Sequence, residues 1–244
     1  MVFSFGRPES ELVRDIVEDV QRKLMSKYMS PLSDFEGLIG IYKRIEQVMS
    51  LLCLDTMDVR SIGIWGMGGI GKTTLAEVVF NQISGQFDGS CFIEEVGERL
   101  ENRESNCLRL EVLSKVLHEV NMELATPTIL HPFIRQRLTQ KKVLIVFDAV
   151  NKFSRPLETL VNDLIRCGLG SRIIITSRDK QVLYNYKVLD CNIYEVEGFN
   201  YRDALQLFCN YAFHENYPPE DRMVLSNELV NYSKGNPLAL KVLG

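Results

Sequence analysis

The nine consecutive residues that begin at Gly66 carry the spacing of a phosphate-binding loop. They are Gly66, Met67, Gly68, Gly69, Ile70, Gly71, Lys72, Thr73 and Thr74, and they fit the pattern G-x-x-x-x-G-K-[ST]. Glycines let successive backbone N–H groups turn toward an anion, and the start of a following helix adds about half a positive charge. The lysine of such a loop reaches the terminal phosphates and the next hydroxyl ligates Mg²⁺. The segment therefore predicts a site for a nucleoside di- or triphosphate. The alternative, a glycine-rich turn without a ligand, does not account for the strand and the helix predicted on either side.

Two further segments end an apolar run on a polar side chain that could act on a nucleotide. Asp148 follows the run 143–147, and Arg178 follows the run 172–176. In phosphate-loop proteins an aspartate at the carboxyl end of a buried strand holds Mg²⁺ through water, although alone it could equally cap a turn. Arg178 could contact a γ-phosphate with its forked guanidinium, or pair with a surface carboxylate. The phosphate loop in the same chain favours the functional interpretation of Asp148.

Strands and helices alternate from residue 60 onward. Short apolar runs predict strands at 61–65, 91–93, 143–147, 172–176 and 193–196. Helices are predicted between them at 72–84, 108–120, 132–138, 156–165 and 180–184. Apolar runs without polar alternation are typical of strands buried on both faces of a parallel sheet. We therefore expect an α/β sheet with right-handed crossovers.

Only helices are predicted outside that alternating region. Apolar stripes indicate helices at 10–27 and 40–54 before it, and at 201–213, 219–232 and from 237 onward after it. We expect a helical connector at residues 1–34 and a nucleotide-binding domain at 35–198. Residues 199–244 are then the beginning of a helical subdomain, truncated in this chain.

Composition and charge exclude several classes of function. The 244 residues include 28 Lys and Arg against 32 Asp and Glu, a net charge of −4, so the basic surface typical of nucleic-acid binding is absent. None of the 6 cysteines forms a C-x-x-C pair or neighbours a histidine, which argues against a zinc site and favours a reducing compartment. The chain shows neither a signal sequence nor an apolar stretch long enough to span a membrane. We expect a protein of the cytoplasm or nucleus that inserts into no membrane.

Taken in chain order, these segments resemble the NB-ARC nucleotide-binding module of plant disease-resistance proteins, a member of the STAND class of P-loop ATPases. The matching stretches are 63–76, 141–150, 170–179, 194–213 and 235–240. The last is similar to the family's G-L-P-L motif, with Asn236 in place of leucine. Residues 9–60 are similar to the connector and the start of this module in receptors with a TIR domain upstream. Asn151 agrees with that subclass, because the coiled-coil subclass usually carries tryptophan there.

The resemblance implies a fold and a set of site residues. The fold is a P-loop NTPase three-layer α/β sandwich with a parallel five-stranded sheet, in which strand 172–176 lies between the two motif strands. The start of an all-helical subdomain follows. ADP or ATP with Mg²⁺ is the implied ligand, and its phosphates contact Gly66, Gly68, Gly69, Ile70, Gly71, Lys72, Thr73 and Thr74. Thr73 and Asp148 hold the metal, Arg178 is the phosphate sensor, and Pro237 and Ile39 contact adenine.

The family implies a molecular switch, with one departure in this chain. ADP holds a closed monomer, and ATP opens an oligomer that signals defence together with the TIR and leucine-rich-repeat domains of the receptor. Ala149 replaces the usual second acid, and losing a water-positioning group costs on the order of 10²–10⁴ in rate. A slowly hydrolysing switch is therefore favoured. The alternatives are an active ATPase in which Glu94 or Glu95 positions water, and a non-switching adaptor fragment that binds partners through its helical tail.

Overall fold

The structure, a computed structural model, describes residues 39–118 and 132–244. These residues belong to one unit of the chain, Leu38–Gly244. The connector predicted at residues 1–34 and the helix predicted at 10–27 lie outside the described residues.

Five parallel strands form one sheet within the described part of the chain. They are β1 Arg60–Trp65, β2 Gly89–Ile93, β3 Val143–Phe147, β4 Arg172–Ser177 and β5 Ile193–Glu195. The order across the sheet is β2-β3-β4-β1-β5. β4 thus lies between the two motif strands, β1 and β3, as the resemblance implies. The parallel five-stranded sheet is confirmed.

Helices connect the strands and then continue alone. Those before and between the strands are α1 Ile41–Leu52, α2 Lys72–Ile83, α3 Val96–Glu101, α4 Ser105–Leu117, α5 Pro132–Thr139, α6 Arg155–Leu164 and α7 Lys180–Asn185. After β5 come α8 Tyr201–Ala212, α9 Met223–Ser233 and α10 Pro237–Leu243. The sequence did not predict α3, a helix of only 6 residues. The helix predicted at 219–232 begins later, because Glu220–Arg222 form a 3₁₀ turn.

The sheet is buried on both faces. All five residues of β3 are 0% exposed. Val143, Ile145 and Phe147 join a core cluster with residues of α4 to α7. Leu144 and Val146 face the opposite side, because side chains alternate along a strand, and α2 contacts β1, β3 and β4 there. This arrangement confirms the three-layer sandwich.

A fully buried arginine anchors the segment between α1 and β1. Arg172, the first residue of β4, is 0% exposed. Its guanidinium donates to the carbonyl oxygens of Leu52, Cys53, Thr56 and Asp58 at distances between 2.5 and 2.9 Å. Burial lowers the pKa of this arginine, although the carboxylate of Asp58 partly offsets the effect. Arg172 therefore holds the segment before β1 in place at the amino-terminal ends of the strands, opposite the end that carries the phosphate loop.

Candidate functional site

The phosphate loop, residues 66–71, joins the end of β1 to the start of α2. Gly69 and Gly71 have φ angles of +74° and +96°, a left-handed region that glycine adopts without steric cost. Gly71 is also the N-cap of α2. The unpaired N–H groups of the first helical turn therefore border the loop, which is the usual arrangement for binding phosphate.

Lys72 lies at the base of this loop and is 8% exposed. Its Nζ donates to the carbonyl oxygens of Gly66 and Met67, at 2.8 Å in each case. Burial lowers the pKa of Lys72, the charge of Arg178 lowers it further, and Asp148 opposes them. An anion beside the ammonium would raise this pKa again, because a negative charge favours the protonated form.

Asp148 is joined to the loop through two threonine hydroxyls. It is 4% exposed and directly follows β3. Thr73 Oγ1 donates to both carboxylate oxygens, at 3.0 and 2.9 Å, and Thr176 Oγ1 donates to Oδ1 at 2.6 Å. The pairing of β3 with β4 brings Thr176 beside Asp148. Thr73 and Asp148, the predicted metal ligands, thus offer adjacent oxygen atoms, the donor type that Mg²⁺ prefers.

Arg178 reaches the loop from the end of β4. Its guanidinium carbon lies 3.4 Å from the position that a β-carbon on Gly68 would take. Its backbone carbonyl accepts a hydrogen bond of 3.2 Å from the indole N–H of Trp65. The neighbouring strands β1 and β4 therefore place Arg178 against the phosphate loop.

A cavity of about 280 Å³ opens between the loop and the start of α10. Of the residues predicted from the sequence, it is lined by Gly69, Gly71, Lys72, Thr73, Thr74, Arg178 and Pro237. Its other lining residues, none of which was predicted to contact the nucleotide, are Ala149, Asn151, Thr176, Leu238 and Lys241. The structure thus brings the three sequence motifs and the G-L-P-L-like segment to one place.

The remaining predicted residues lie behind or beside this cavity. Gly66 and Gly68 belong to the loop backbone, and Ile70 is 3% exposed. Asp148 sits behind Thr73 and Thr176. Ile39 packs against an apolar cluster of α8, α9 and α10 rather than on the cavity lining, so its contact with adenine stays a prediction.

The G-L-P-L-like segment contacts the loop through polar groups. The amide nitrogen of Asn236 donates to the carbonyl of Gly68 at 2.9 Å, and the backbone N–H of Leu238 donates to the carbonyl of Gly69 at 3.2 Å. Sequence reasoning noted Asn236 but assigned it no role. The available signal was an asparagine directly before a proline that begins a helix, which is typical of an N-cap.

Ala149 follows Asp148 in a left-handed conformation, with φ +54°. Its N–H donates to Thr176 Oγ1 at 2.9 Å, and its carbonyl accepts from the N–H of Gly97 at 3.1 Å.

Burial raises the pKa of Glu77 on α2, and the charges of Asp148 and then Glu94 raise it further. The charge of Glu94, one of the two alternative water-positioning acids, thus acts on Glu77.

The order of the sheet and the grouping of these residues at the carboxyl ends of β1, β3 and β4 define a P-loop nucleotide-binding domain. Cdc6p from Pyrobaculum aerophilum has a similar fold, with a TM-score of 0.56 at 11% identity, covering 89% of this chain and 63% of its own. The NB-ARC domain family matches residues 41–217, and the chain belongs to this family.

Curated relatives of the chain are plant disease resistance proteins. It is 38% identical over 244 residues to TMV resistance protein N of Nicotiana glutinosa, covering 98% of this chain and 20% of that protein. It is 37% identical over 237 residues to disease resistance protein RUN1 of Vitis rotundifolia, covering 97% and 17%. The chain thus spans about a fifth of the length of these relatives. Within residues 39–118 and 132–244, no helix has the length and hydrophobicity to cross a membrane.

Proposed function

We propose that this chain is the ADP- and ATP-binding switch module of a plant intracellular immune receptor of the TIR type. The observation that carries the proposal is the meeting of the phosphate loop, Asp148 and Arg178 at one sheet edge in an NB-ARC chain. ADP holds the module closed, and ATP leads to self-association of the whole receptor, with its TIR and leucine-rich-repeat domains as partners. The receptor acts in the cytoplasm or nucleus.

The two domains of the module meet near residue 198. Residues 35–198 are the nucleotide-binding domain and residues 199–244 the beginning of the helical subdomain. Two apolar clusters among the described residues support this boundary: one spans residues 91–188 of the sheet region, and a smaller one lies in α8, α9 and α10. Each set of elements thus has its own core.

The nucleotide binds with its phosphates in the loop and its base toward α10. Residues 66–74 hold the phosphates, with Lys72 reaching the β- and γ-phosphates, and Arg178 contacts the γ-phosphate of ATP. Pro237 packs on adenine, with Ile39 on the N-terminal side. The position of Pro237 in the cavity wall supports this orientation.

Mg²⁺ accompanies the nucleotide and is held by Thr73 and Asp148. The two side chains present oxygen atoms 2.9 to 3.0 Å apart, and the buried carboxylate supplies a negative charge that a divalent cation neutralises. The ion supplies charge neutralisation for the phosphates. The chain's own contribution is to orient the oxygen atoms, which Thr176 does by donating to Oδ1 of Asp148.

Hydrolysis is slow, because the position after Asp148 holds a methyl group instead of a carboxylate. Ala149 lines the cavity and cannot orient an attacking water. A rapid ATPase would need Glu94 or Glu95 for that role, and an adaptor fragment would bind its partners independently of nucleotide.

The nucleotide carried by the purified 244-residue chain tests the proposal directly. We expect denaturation to release ADP in near-equal amount to protein. Lys72→Ala should weaken Mg·ADP binding by at least about tenfold, since hydrogen bonds to charged groups contribute about 1.5–3 kcal/mol. Lys152→Ala, which removes an exposed lysine paired with Glu101, is the matched control.

The outcomes separate the three candidate functions. A folded chain that binds neither ADP nor ATP refutes the nucleotide switch and favours the adaptor fragment. Steady-state turnover of about 1 s⁻¹ or more, where ordinary enzymes begin, refutes slow exchange and favours an ATPase. Bound ADP with slow turnover and sensitivity to Lys72→Ala supports the switch.

A further inference from the structure

The start of α10 holds the middle of the phosphate loop by its carbonyl groups. Asn236 Nδ2 donates to the carbonyl oxygen of Gly68 at 2.9 Å. Leu238 N–H donates to the carbonyl oxygen of Gly69 at 3.2 Å. A β-carbon on Gly69 would lie 2.6 Å from the β-carbon of Leu238, so helix and loop are in direct contact.

The carbonyls on either side of this pair are also engaged. Gly66 and Met67 accept from Lys72, and Ile70 accepts from Arg44 on α1 at 3.5 Å. Arg44 also donates to the carbonyl of residue 197 at 2.8 Å. Five consecutive carbonyl oxygens, those of residues 66–70, thus accept hydrogen bonds.

Holding a carbonyl fixes the N–H of the next residue. A peptide unit is planar and trans, so its C=O and its N–H point in opposite directions. The hydrogen bonds to the carbonyls of Gly68 and Gly69 therefore turn the amides of Gly69 and Ile70 away from α10. The amide of Gly69 belongs to the group of N–H donors that a phosphate loop directs at its anion, whereas the amide of Ile70 donates to the carbonyl of Met67 at 3.4 Å within the loop itself.

Asn236 performs two tasks with the two ends of one amide. Its Oδ1 accepts from the N–H groups of Leu238 at 3.0 Å and Ala239 at 3.3 Å, which caps α10. Its Nδ2 donates to the loop. A leucine at this position, as in the G-L-P-L motif, has neither a donor nor an acceptor. Of asparagine and leucine, only asparagine can therefore make this contact.

We propose that Asn236 is a positioning residue of the phosphate site, whose amide orients the loop for a β-phosphate and thereby couples phosphate affinity to the docking of α10. The inference rests on the proposed binding of ADP. Coupling between two sites is reciprocal, so a bound diphosphate also stabilises α10 on the loop. A side chain that only caps the helix would leave phosphate affinity unchanged.

The test removes the donor and retains the cap. Asn236→Ser keeps an N-cap oxygen but is too short to reach Gly68, and Asn236→Asp keeps the longer acceptor without a donor. Asn200→Ser is the matched control, because Asn200 caps α8 and bonds to Asp203 instead of the loop. Calorimetry with Mg²⁺ measures the affinity of the 244-residue chain for ADP and for AMP. Hydrogen exchange measures the protection of amides 68–70 without nucleotide.

We expect Asn236→Ser to weaken ADP binding about threefold to tenfold, the effect of one hydrogen bond. AMP lacks the β-phosphate, so its affinity should change by less than about twofold. The loop amides of this variant should exchange faster, and Asn200→Ser should match the wild type in all three measurements. Asn236→Asp should weaken ADP at least as much as the serine variant.

Two results overturn the inference. One is an equal loss of ADP and AMP affinity, or a loss no larger than that of Asn200→Ser, which indicates a structural role for the cap. The other is unchanged exchange of amides 68–70 in both Asn236 variants. If the wild-type chain does not bind ADP, the proposed function fails, and the exchange experiment still decides on the contact.

Discussion

Gly69→Ala should destabilise the fold because the loop and α10 are too close for a side chain. Gly69 has φ +74°, and its β-carbon would lie 2.6 and 2.9 Å from Cβ and Cδ2 of Leu238. A left-handed alanine costs about 1–2 kcal/mol, and overpacking costs about 1–3 kcal/mol. We therefore expect a loss of about 2–5 kcal/mol in the free energy of unfolding. Urea denaturation of the nucleotide-free chain measures it.

Gly71→Ala separates the two contributions. Gly71 has φ +96°, but its β-carbon would meet no atom within 4 Å, so only the conformational cost applies. Gly69→Ala should thus be less stable than Gly71→Ala by about 1–3 kcal/mol. Equal stability of the two variants would refute the direct contact between α10 and the loop, and with it the geometric basis of the role assigned to Asn236.

Three further predictions concern charged side chains: a buried arginine, an added acid at position 149, and the lysine of the phosphate loop. Arg172→Ala should lower the free energy of unfolding by at least about 3 kcal/mol, because it leaves the carbonyls that Arg172 contacts without a donor; a loss below about 1 kcal/mol in urea denaturation contradicts this. Ala149→Asp should raise steady-state ATP turnover by about 10²-fold or more, in a conformation that aspartate tolerates better than alanine; a gain under about tenfold favours Glu94 or Glu95 as the acid. ADP binding should take up protons at alkaline pH, because the pKa of Lys72 is lowered in the free protein and a bound phosphate raises it. Calorimetry in buffers of different ionisation enthalpy measures this uptake, and a release of protons would contradict the prediction.

Most of the sheet could be predicted from the sequence because β3 is wholly apolar and the middle residues of β1 and β4 are apolar too. The run 143–147 coincides with β3, and no polar residue interrupts it. Short or capped elements were harder to predict from the sequence. The 6-residue α3 begins after Glu95, at φ +51°, and lacks the apolar period that identifies longer helices. The burial of Arg172 could not be predicted from the sequence either, because its partners are backbone carbonyls, which carry no sequence signal.

The site was predictable where one motif forms one local structure. The loop residues and Lys72 follow this rule, since the glycines and the helix start are contiguous. Contacts between motifs were not predictable in the same way. The hydroxyl of Thr176 on Asp148 depends on the register of β3 and β4, and the amide of Asn236 on Gly68 joins residues 168 positions apart. Such contacts follow from the strand order and helix docking, which only the tertiary structure fixes.

The strength of the contact between α10 and the loop limits what it can contribute to a switch. The two hydrogen bonds from Asn236 and Leu238 contribute about 1 kcal/mol each, so together they can couple phosphate binding to α10 by no more than about 2 kcal/mol, or roughly thirtyfold. Moving an equilibrium from 1:99 to 99:1 takes about 5.5 kcal/mol. Loss of this contact alone therefore cannot open the module. In the proposed switch, the difference between ADP and ATP would therefore act mainly through a group that contacts the γ-phosphate. We propose Arg178 for this role, because it lies against Gly68 of the same loop at the carboxyl end of the neighbouring strand β4.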